Sequence, residues 1–484
     1  MANEQQPAVF VDDEKDGSQR RLEELGYKQV LDRKLSITGN VVMALSNVGP
    51  LMAAFVYALA AFATVGAATA PAALLQGINV LFIGLILAEL GSIYPVSGGM
   101  YSIINYVLPK PLAFVAVFTF MIQAFIYPPA ISMGIGQYLQ ILFHQLPQSP
   151  LATSVLAAVA LITALLIGLH SIATNNRVAK IFLVMQLLIL FIFLYFCFAN
   201  PQRSLIDVAF SSQMLGEDGI TFIPVGFFGI LMAVGILCAS IDGYAASLGF
   251  TEETKGSCRD AGIAQLISAV ATVLIVVAAL VMGTVAAPDL REFLAAPSPL
   301  LYTAEAYMGT MGSTLVNIGI IVASFGGLVV IINYMARVLF TGARDRVWPE
   351  FLNHALGKVS KRQTPYVATA AIALICSLLV FSSTLVELVT YGGMTAATVY
   401  LLIAIGSINS RRKDPHITRP FRMPLYPLPP IIVISFLVVA IGSQEVQSMI
   451  VVGSFIGVAL LYYFLYIKPR DEKERKNAPQ TSAP

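Results

Sequence analysis

Two short stretches of the sequence place polar side chains beside residues that interrupt helices. The first covers residues 46–50 (SNVGP), and the second covers residues 238–243 (CASIDG). Glycine is a poor helix former, and proline lacks a backbone donor but suits the first position of a helix. We therefore expect a helix to end in each stretch and to leave amide and carbonyl groups that can bind a small charged molecule.

The predicted chemistry is noncovalent recognition of a molecule that carries a carboxylate and an amine. Free amides near residues 46–50, at the positive end of a half-helix, would bind the carboxylate. Free carbonyls before each interruption would bind the ammonium group or a coupling cation, either H⁺ or Na⁺. The predicted substrate-binding residues are Ser46, Asn47, Val48, Gly49, Pro50, Cys238, Ala239, Ser240, Asp242 and Gly243.

Two carboxylates, Glu89 and Asp242, lie well inside apolar segments. A charge at bilayer depth is costly, so a functional role is the default interpretation. Asp242 could face a substrate amine, carry a coupling proton or cap a half-helix, and the sequence leaves these three roles open. Glu89 lies near the cytoplasmic end of its segment, where we expect it to pair with basic residues or amides of the inner face.

The composition is that of a membrane protein. Of the 484 residues, 57% are hydrophobic and 12% are charged, whereas a soluble domain is about 25% charged. This excludes a soluble enzyme, and the net charge of +2 gives no argument for nucleic acid binding. The four cysteines form no CxxC pair and are expected to be small core residues. No HExxH, GxxxxGK[ST] or GxSxG motif occurs, so the sequence supports neither an enzyme nor a metal site.

Twelve segments are apolar enough and long enough to span a bilayer as helices. A spanning helix needs about 20 mostly apolar residues, and its backbone must satisfy its own hydrogen bonds in lipid. Glu387 favours two helices rather than one between residues 364 and 408. The predicted spans are residues 35–61, 68–93, 111–141, 151–170, 179–199, 221–249, 261–287, 309–341, 364–383, 385–408, 426–443 and 448–467.

The positions of lysine and arginine predict the orientation. With the N-terminus in the cytoplasm, all of the 29 basic residues except Arg203 and Arg291 fall in cytoplasmic segments. We therefore expect a multi-pass protein of the cell membrane. Residues 1–34 would form a cytoplasmic N-terminal arm, and residues 468–484 would form a cytoplasmic tail.

The two interruptions lie in spans 1 and 6. Because these spans are five helices apart, the second unit enters the membrane from the opposite side, which is typical of transporters that bind substrate between broken helices at the midplane. The predicted fold is an all-α integral membrane protein with twelve transmembrane helices. Residues 35–199 would form the first five-helix repeat, residues 221–408 the second, inverted repeat, and residues 426–467 two additional helices.

Several loops carry motifs of a known family. The chain resembles the amino acid-polyamine-organocation (APC) permeases, and the matches follow the family order. Gln186 stands where some proton-coupled members have a lysine, and Ala245 stands where an acidic residue is often found. The matching segments are residues 88–101 (AELGSIYPVSGGMY), 243–244 (GY), 251–255 (TEETK), 336–340 (ARVLF), 343–349 (ARDRVWP), 361–365 (KRQTP) and 419–424 (RPFRMP).

The resemblance implies an inverted five-plus-five fold with two extra C-terminal helices, and transport of an amino acid or related amine by alternating access. It also implies that the breaks in spans 1 and 6 hold the substrate, and it leaves symport and antiport open. Two alternatives remain. A choline or polyamine carrier would use Asp242 as the partner of a cation without a carboxylate. A nutrient sensor would bind the ligand without transporting it.

Overall fold

The computed structural model is almost entirely helical. It describes residues 21, 35–96, 99–168, 172–210, 212–216, 218–251, 254–360 and 365–477, so most of the predicted N-terminal arm and residues 478–484 of the tail lie outside the described residues. The α-helices are α1 Ile37–Val48, α2 Pro50–Met52, α3 Ala58–Val65, α4 Thr69–Ile93, α5 Met100–Val107, α6 Lys110–Leu142, α7 Pro150–Gly168, α8 Ile172–Ala199, α9 Leu205–Phe210, α10 Phe227–Ser240, α11 Cys258–Val285, α12 Leu290–Ala295, α13 Pro299–Arg344, α14 Glu350–Leu356, α15 Tyr366–Leu379, α16 Leu385–Lys413, α17 Leu428–Gly442, α18 Val446–Tyr462 and α19 Lys468–Asn477.

Short segments of other types connect these helices. The segments Ala53–Tyr57 and Tyr463–Ile467 are π-helical, and Gly66–Ala68 and Tyr244–Phe250 are 3₁₀-helical. Strand β1, Gln213–Leu215, pairs antiparallel with β2, Phe222–Pro224. The π-helical segment Ala53–Tyr57 lies between α2 and α3, so the chain stays helical from Pro50 to Val65.

Nine helices in the described part of the chain are long and apolar enough to cross a membrane. The first of them, Ile37–Ile93, has 57 residues and is interrupted by left-handed or otherwise nonhelical glycines, Gly49 (φ +58°) and Gly66 (φ +60°). Two shorter apolar helices, α15 and α17, lie where further spans are predicted. The chain is therefore an all-α membrane protein that crosses the bilayer many times.

One predicted span has different ends from those expected, and one predicted break between spans is present. The predicted span 309–341 belongs to a longer helix, α13, which begins at Pro299 and continues past a nonhelical Gly309 (φ 66°, ψ 176°). The break expected between residues 383 and 385 is present, because Thr384 caps α16: its hydroxyl accepts the amide of Glu387 at 3.2 Å, and the Glu387 carboxylate accepts the amide of Thr384 at 2.7 Å. This capping box explains why two helices form there.

Close contacts between glycine and small residues bring the helices together. A Cβ atom on Gly84 of α4 would lie 2.8 Å from the Cβ of Ala269 of α11, so the two helices approach as closely as their backbones allow. Helices α13 and α16 pack along α6. The four cysteines are buried and free, which confirms that they are core residues, and Cys258 is the first residue of α11.

Glu89 anchors the predicted cytoplasmic end of α4. Its carboxylate accepts hydrogen bonds from Nε of Arg411 at 2.9 Å, from Nη1 of Arg419 at 3.3 Å and from the amide of Met423 at 2.7 Å. The prediction that Glu89 pairs with basic residues or amides is therefore confirmed. The cluster joins the end of α4 to the end of α16 and to the segment that precedes α17.

Candidate substrate-binding site

The first break lies between α1 and α2. Helix α1 begins at Ile37, where the side chain of Ser36 accepts the amide of Gly39 at 3.0 Å, and it ends at Val48 because Gly49 adopts a left-handed conformation (φ 58°, ψ 69°). The amide of Gly49 donates to the carbonyl of Leu45 at 3.1 Å. The expectation that this amide is free is therefore wrong, since the left-handed turn returns it to the helix that it ends.

The next half-helix begins just after this break. Pro50 occupies the first position of the next half-helix, where its missing donor costs nothing. The first amides of that half-helix, those of Leu51 and Met52, have no carbonyl one turn earlier within the same half-helix. The positive end of this half-helix thus lies at Pro50, where the sequence predicts that it begins.

The second break follows Ser240, the last residue of α10. Ile241 has nonhelical angles (φ −103°, ψ 50°), and Gly243 is left-handed (φ 88°) before the 3₁₀ segment Tyr244–Phe250 begins. The side chain of Asp242, which is half-buried, projects from this nonhelical stretch. Both helices therefore come apart at the stretches predicted from glycine, proline and aspartate.

A small cavity lies between the two breaks. Its volume is about 50 Å³, which is room for only a few water molecules at about 10–15 Å³ or more each. A molecule larger than a few waters would therefore enter only if the walls moved apart. The wall consists of Asn47, Val48, Met52, Tyr57, Met100, Phe120, Gln123, Tyr127, Ile131, Ala239, Asp242, Gly243, Ala245, Ala246, Gly327, Ile331, Tyr334 and Met335.

Asp242 provides the carboxylate of this wall, and two tyrosines from other helices bind it. The hydroxyl of Tyr127 on α6 donates to Oδ2 at 3.0 Å, and the hydroxyl of Tyr400 on α16 donates to Oδ1. The part of the wall that the structure describes holds no lysine, arginine or histidine. Neutral donors therefore solvate the carboxylate, and a cationic group that enters the cavity meets no charged competitor.

Five of the ten predicted site residues line the cavity, namely Asn47, Val48, Ala239, Asp242 and Gly243. Gly49 and Pro50 shape the first break without lining the wall. The side chains of the remaining three form hydrogen bonds with other protein groups. The Ser46 hydroxyl donates to Val42 O of its own helix at 2.8 Å, and the Ser240 hydroxyl donates to Ala53 O at 2.7 Å. The sulfur of Cys238 accepts a hydrogen bond from Nε2 of Gln76 at 3.3 Å.

At each break, a side chain of one broken helix binds the backbone of the other. Nδ2 of Asn47 donates to the carbonyl of Gly243 at 3.2 Å, and the Ser240 hydroxyl donates to the carbonyl of Ala53. Each bond therefore runs from a polar side chain of one helix to the backbone of the other. Directional bonds of this kind fix the relative position of the two breaks.

Sequence reasoning missed the aromatic part of the site. Tyr57, Tyr127 and Tyr334 line the cavity, and Tyr400 contacts Asp242 from outside the wall. Each of these tyrosines lies within an apolar helical segment, and a buried tyrosine hydroxyl usually has a hydrogen-bond partner. A search of the spans for tyrosine, and not only for carboxylates and amides, would have found them.

Comparison with known proteins gives the family. A family model described as "Amino acid permease" matches residues 35–467. Among curated relatives, the branched-chain amino acid permease BcaP of Bacillus subtilis is 25% identical over 80% of this chain and 83% of its own length. The methylthioribose transporter of the same organism is 24% identical (81% and 84% covered), and the human cystine/glutamate transporter is 25% identical (72% and 68% covered). The chain belongs to the amino acid permease family.

Proposed function

We propose that this permease is a secondary active transporter that carries a neutral, apolar amino acid across the cell membrane by alternating access. Asp242, a carboxylate solvated by tyrosines in a cavity between two broken helices, is the observation that carries this proposal. The protein performs no covalent step. A gradient of the coupling ion would supply the work, and the inward-facing and outward-facing states would differ in their affinity for the substrate.

Each charged group of the substrate has a complementary group in the site. The ammonium group would bind Asp242, with Tyr127 and Tyr400 holding the carboxylate in place. The carboxylate would lie at the positive end of the half-helix that begins at Pro50, beside Met52 of the cavity wall. Of the three roles that the sequence leaves open for Asp242, we propose that it contacts the substrate amine.

The rest of the cavity wall favours an apolar side chain. Six of the eighteen wall residues are methionine, isoleucine or phenylalanine, among them Met52, Ile131 and Phe120. An acidic substrate side chain would find no basic partner in the described wall, and its desolvation would be costly. Several relatives are named for branched-chain or large neutral amino acids, which agrees with this substrate class. The comparisons do not favour the choline or polyamine alternative.

The membrane topology belongs to the same proposal. Twelve spans, arranged as two inverted five-helix repeats and two additional helices, follow if α1 with Pro50–Val65 counts as span 1 and if α15 and α17 each cross the bilayer. The distribution of basic residues then places both termini in the cytoplasm. The lipid bilayer surrounds this fold, and the small-molecule substrate binds within it.

The coupling ion is H⁺ or Na⁺. One experiment tests both the substrate and the ion: uptake of labelled leucine by purified carrier in liposomes, with a panel of amino acids and amines as competitors and with imposed sodium or pH gradients. We expect apolar amino acids to compete and one of the two gradients to drive accumulation. Binding of leucine without uptake under any gradient would contradict the proposal and favour a sensor.

A further inference from the structure

The chain between helices α8 and α10 exposes a dense group of large apolar side chains. It contains α9 and the hairpin of β1 and β2, and we call its residues 205–210, 212–216 and 218–224 the outer segment. A single exposed apolar side chain is normal on a protein surface, but a cluster marks a surface that contacts another protein or a membrane. The exposed large apolar side chains of the outer segment are Leu205, Ile206, Phe210, Ile220, Phe222 and Ile223.

Helix α9 has one exposed apolar face and one buried face. Ile206 and Phe210 lie about one turn apart on the same face and are 71% and 85% exposed, whereas Val208 lies on the opposite side and is 7% exposed. Asp207, the charged residue of α9, is exposed at the flank of the apolar face. The apolar face of α9 therefore points away from the rest of the described chain.

Contacts with the spans place the outer segment at their predicted extracellular ends. The amide of Gln202, just before α9, donates to the carbonyl of Val285, the last residue of α11, at 3.0 Å. Strand β1 lies against the turn between α3 and α4, because a Cβ added to Gly66 would lie 2.8 Å from Cα of Met214. The outer segment thus lies against the ends of helices that cross the membrane.

A second short helix on the same predicted side has the opposite character. Helix α12 also has six residues, but its exposed residues include Arg291 and Glu292, and its phenylalanine, Phe293, is fully buried. The exposed face of α12 suits water, whereas the exposed face of α9 does not. A position outside the spans therefore does not by itself explain the apolar face of α9.

The tip of the hairpin is polar and limits how deeply the outer segment can enter lipid. The carboxylate of Asp218 accepts the amides of Thr221 and Ile220 at 3.0 Å each. These bonds lower the pKa of Asp218, so its carboxylate is charged. Because a charge in hydrocarbon is costly, the tip suits the headgroups while the apolar side chains suit the acyl chains.

The apolar surface continues along the chain into a spanning helix. Phe227 and Phe228 begin α10, which is long and apolar enough to cross a membrane, and they are 63% and 71% exposed. Lipid surrounds the spans, so the surface that joins them without a gap is expected to meet lipid as well. This continuity favours lipid over a protein partner as the occupant of the patch.

We propose that the outer segment is inserted into the outer leaflet of the bilayer, with the Ile206–Phe210 face of α9 among the acyl chains and the turn at Asp218 among the headgroups. The interaction surface is thus one for a lipid surface of any headgroup. The inference concerns how the chain sits in the membrane and does not rest on the proposed function.

Nitroxide labels at single introduced cysteines test this in purified carrier reconstituted in liposomes. The labels are placed at Ile206→Cys and Phe210→Cys, and the four native cysteines are buried, so the reagent reacts first at the introduced residue. Oxygen concentrates among acyl chains and a charged nickel chelate stays in water. We expect the logarithm of the ratio of their collision rates to be positive at both positions.

Two exposed polar positions are the matched controls. Asp218→Cys lies in the same segment and Arg291→Cys lies on α12, and the logarithm should be negative at both. Thermal unfolding of each labelled variant, compared with that of the unmodified carrier, shows that the label leaves the fold intact. The second position on α9 keeps the test valid if one of the two variants unfolds early.

Two results would overturn the proposal. A negative logarithm at both α9 positions would place the apolar face in water. Low collision rates with both reagents would show that protein covers the face, and because only the carrier is present in the liposomes, that protein would be a second copy of this chain. Loss of leucine uptake in the unmodified carrier would contradict the proposed function and leave these collision rates unchanged, so the two failures are distinguishable.

Discussion

The hydroxyl of Tyr127 lies 3.0 Å from Oδ2 of Asp242 and donates a hydrogen bond to it across the candidate substrate cavity. The bond joins α6 to the broken span 6, and it orients the carboxylate that we assign to the substrate amine. A second donor, Tyr400, binds the other oxygen. Both oxygens are thereby held in place before any substrate arrives.

Loss of the Tyr127 hydroxyl should weaken substrate binding. Tyr127→Phe keeps the ring but leaves Oδ2 of Asp242 without its donor, and a hydrogen bond to a charged group contributes about 1.5–3 kcal/mol. We expect the Kd for leucine to rise about tenfold or more. Equilibrium binding to the purified carrier measures this, with Tyr195→Phe as the matched control because Tyr195 is 69% exposed. Equal Kd values for both variants would contradict the assignment.

The two serines beside the breaks should differ in their roles. The Ser240 hydroxyl is buried and bonds across to Ala53 O, whereas the Ser46 hydroxyl bonds to Val42 O within its own helix. Ser240→Ala should lower the free energy of unfolding by about 1 kcal/mol and slow uptake, because the two breaks lose a bond that fixes them together. Ser46→Ala should be close to neutral. Thermal unfolding and leucine uptake test both variants, and a large loss of leucine binding only in Ser46→Ala would restore Ser46 as a substrate contact.

Glu89 should be essential for stability and not for specificity. In Glu89→Gln the guanidinium groups of Arg411 and Arg419, which are 13% and 9% exposed, stay buried without a carboxylate. Breaking a buried ion pair from one side costs about 3–5 kcal/mol, so we expect a much lower melting temperature in detergent. Glu305→Gln, at an exposed position, is the control. Unchanged melting of Glu89→Gln would show that the cluster contributes little.

A side chain at Gly49 should strain the first break. Gly49 has a φ of +58°, and an added Cβ would lie 3.1 Å from Cε of Met52. A left-handed conformation costs an ordinary residue about 1–2 kcal/mol, so Gly49→Ala should reduce stability and uptake together. Gly442→Ala is the control, because a Cβ there meets open space. Uptake by Gly49→Ala equal to that of the unmodified carrier would show that the left-handed turn is not required.

Local structure, such as the two helix breaks, can be predicted from the sequence, whereas contacts between residues far apart in the chain cannot. Glycine and proline weaken helices, and Gly49, Pro50 and Gly243 lie beside polar residues within apolar segments, so the positions of both breaks can be predicted. The Tyr400–Asp242 contact joins residues 158 positions apart, and no local pattern indicates which face of α16 turns toward span 6. The same reason explains why the sequence predicts Ser240 to bind substrate although its hydroxyl bonds to Ala53 O.

Calorimetry with two ligands and two carriers tests the central claim most directly. The carriers are the unmodified protein and Asp242→Asn; the ligands are leucine and the analogue in which a hydroxyl replaces the amine. If Asp242 binds the amine, the variant should lose about 10–100-fold in affinity for leucine and far less for the hydroxyl analogue, which is a coupling of about 1.4–3 kcal/mol. Equal losses for both ligands, or no loss for leucine, would contradict the claim that the substrate amine binds Asp242 between the broken helices.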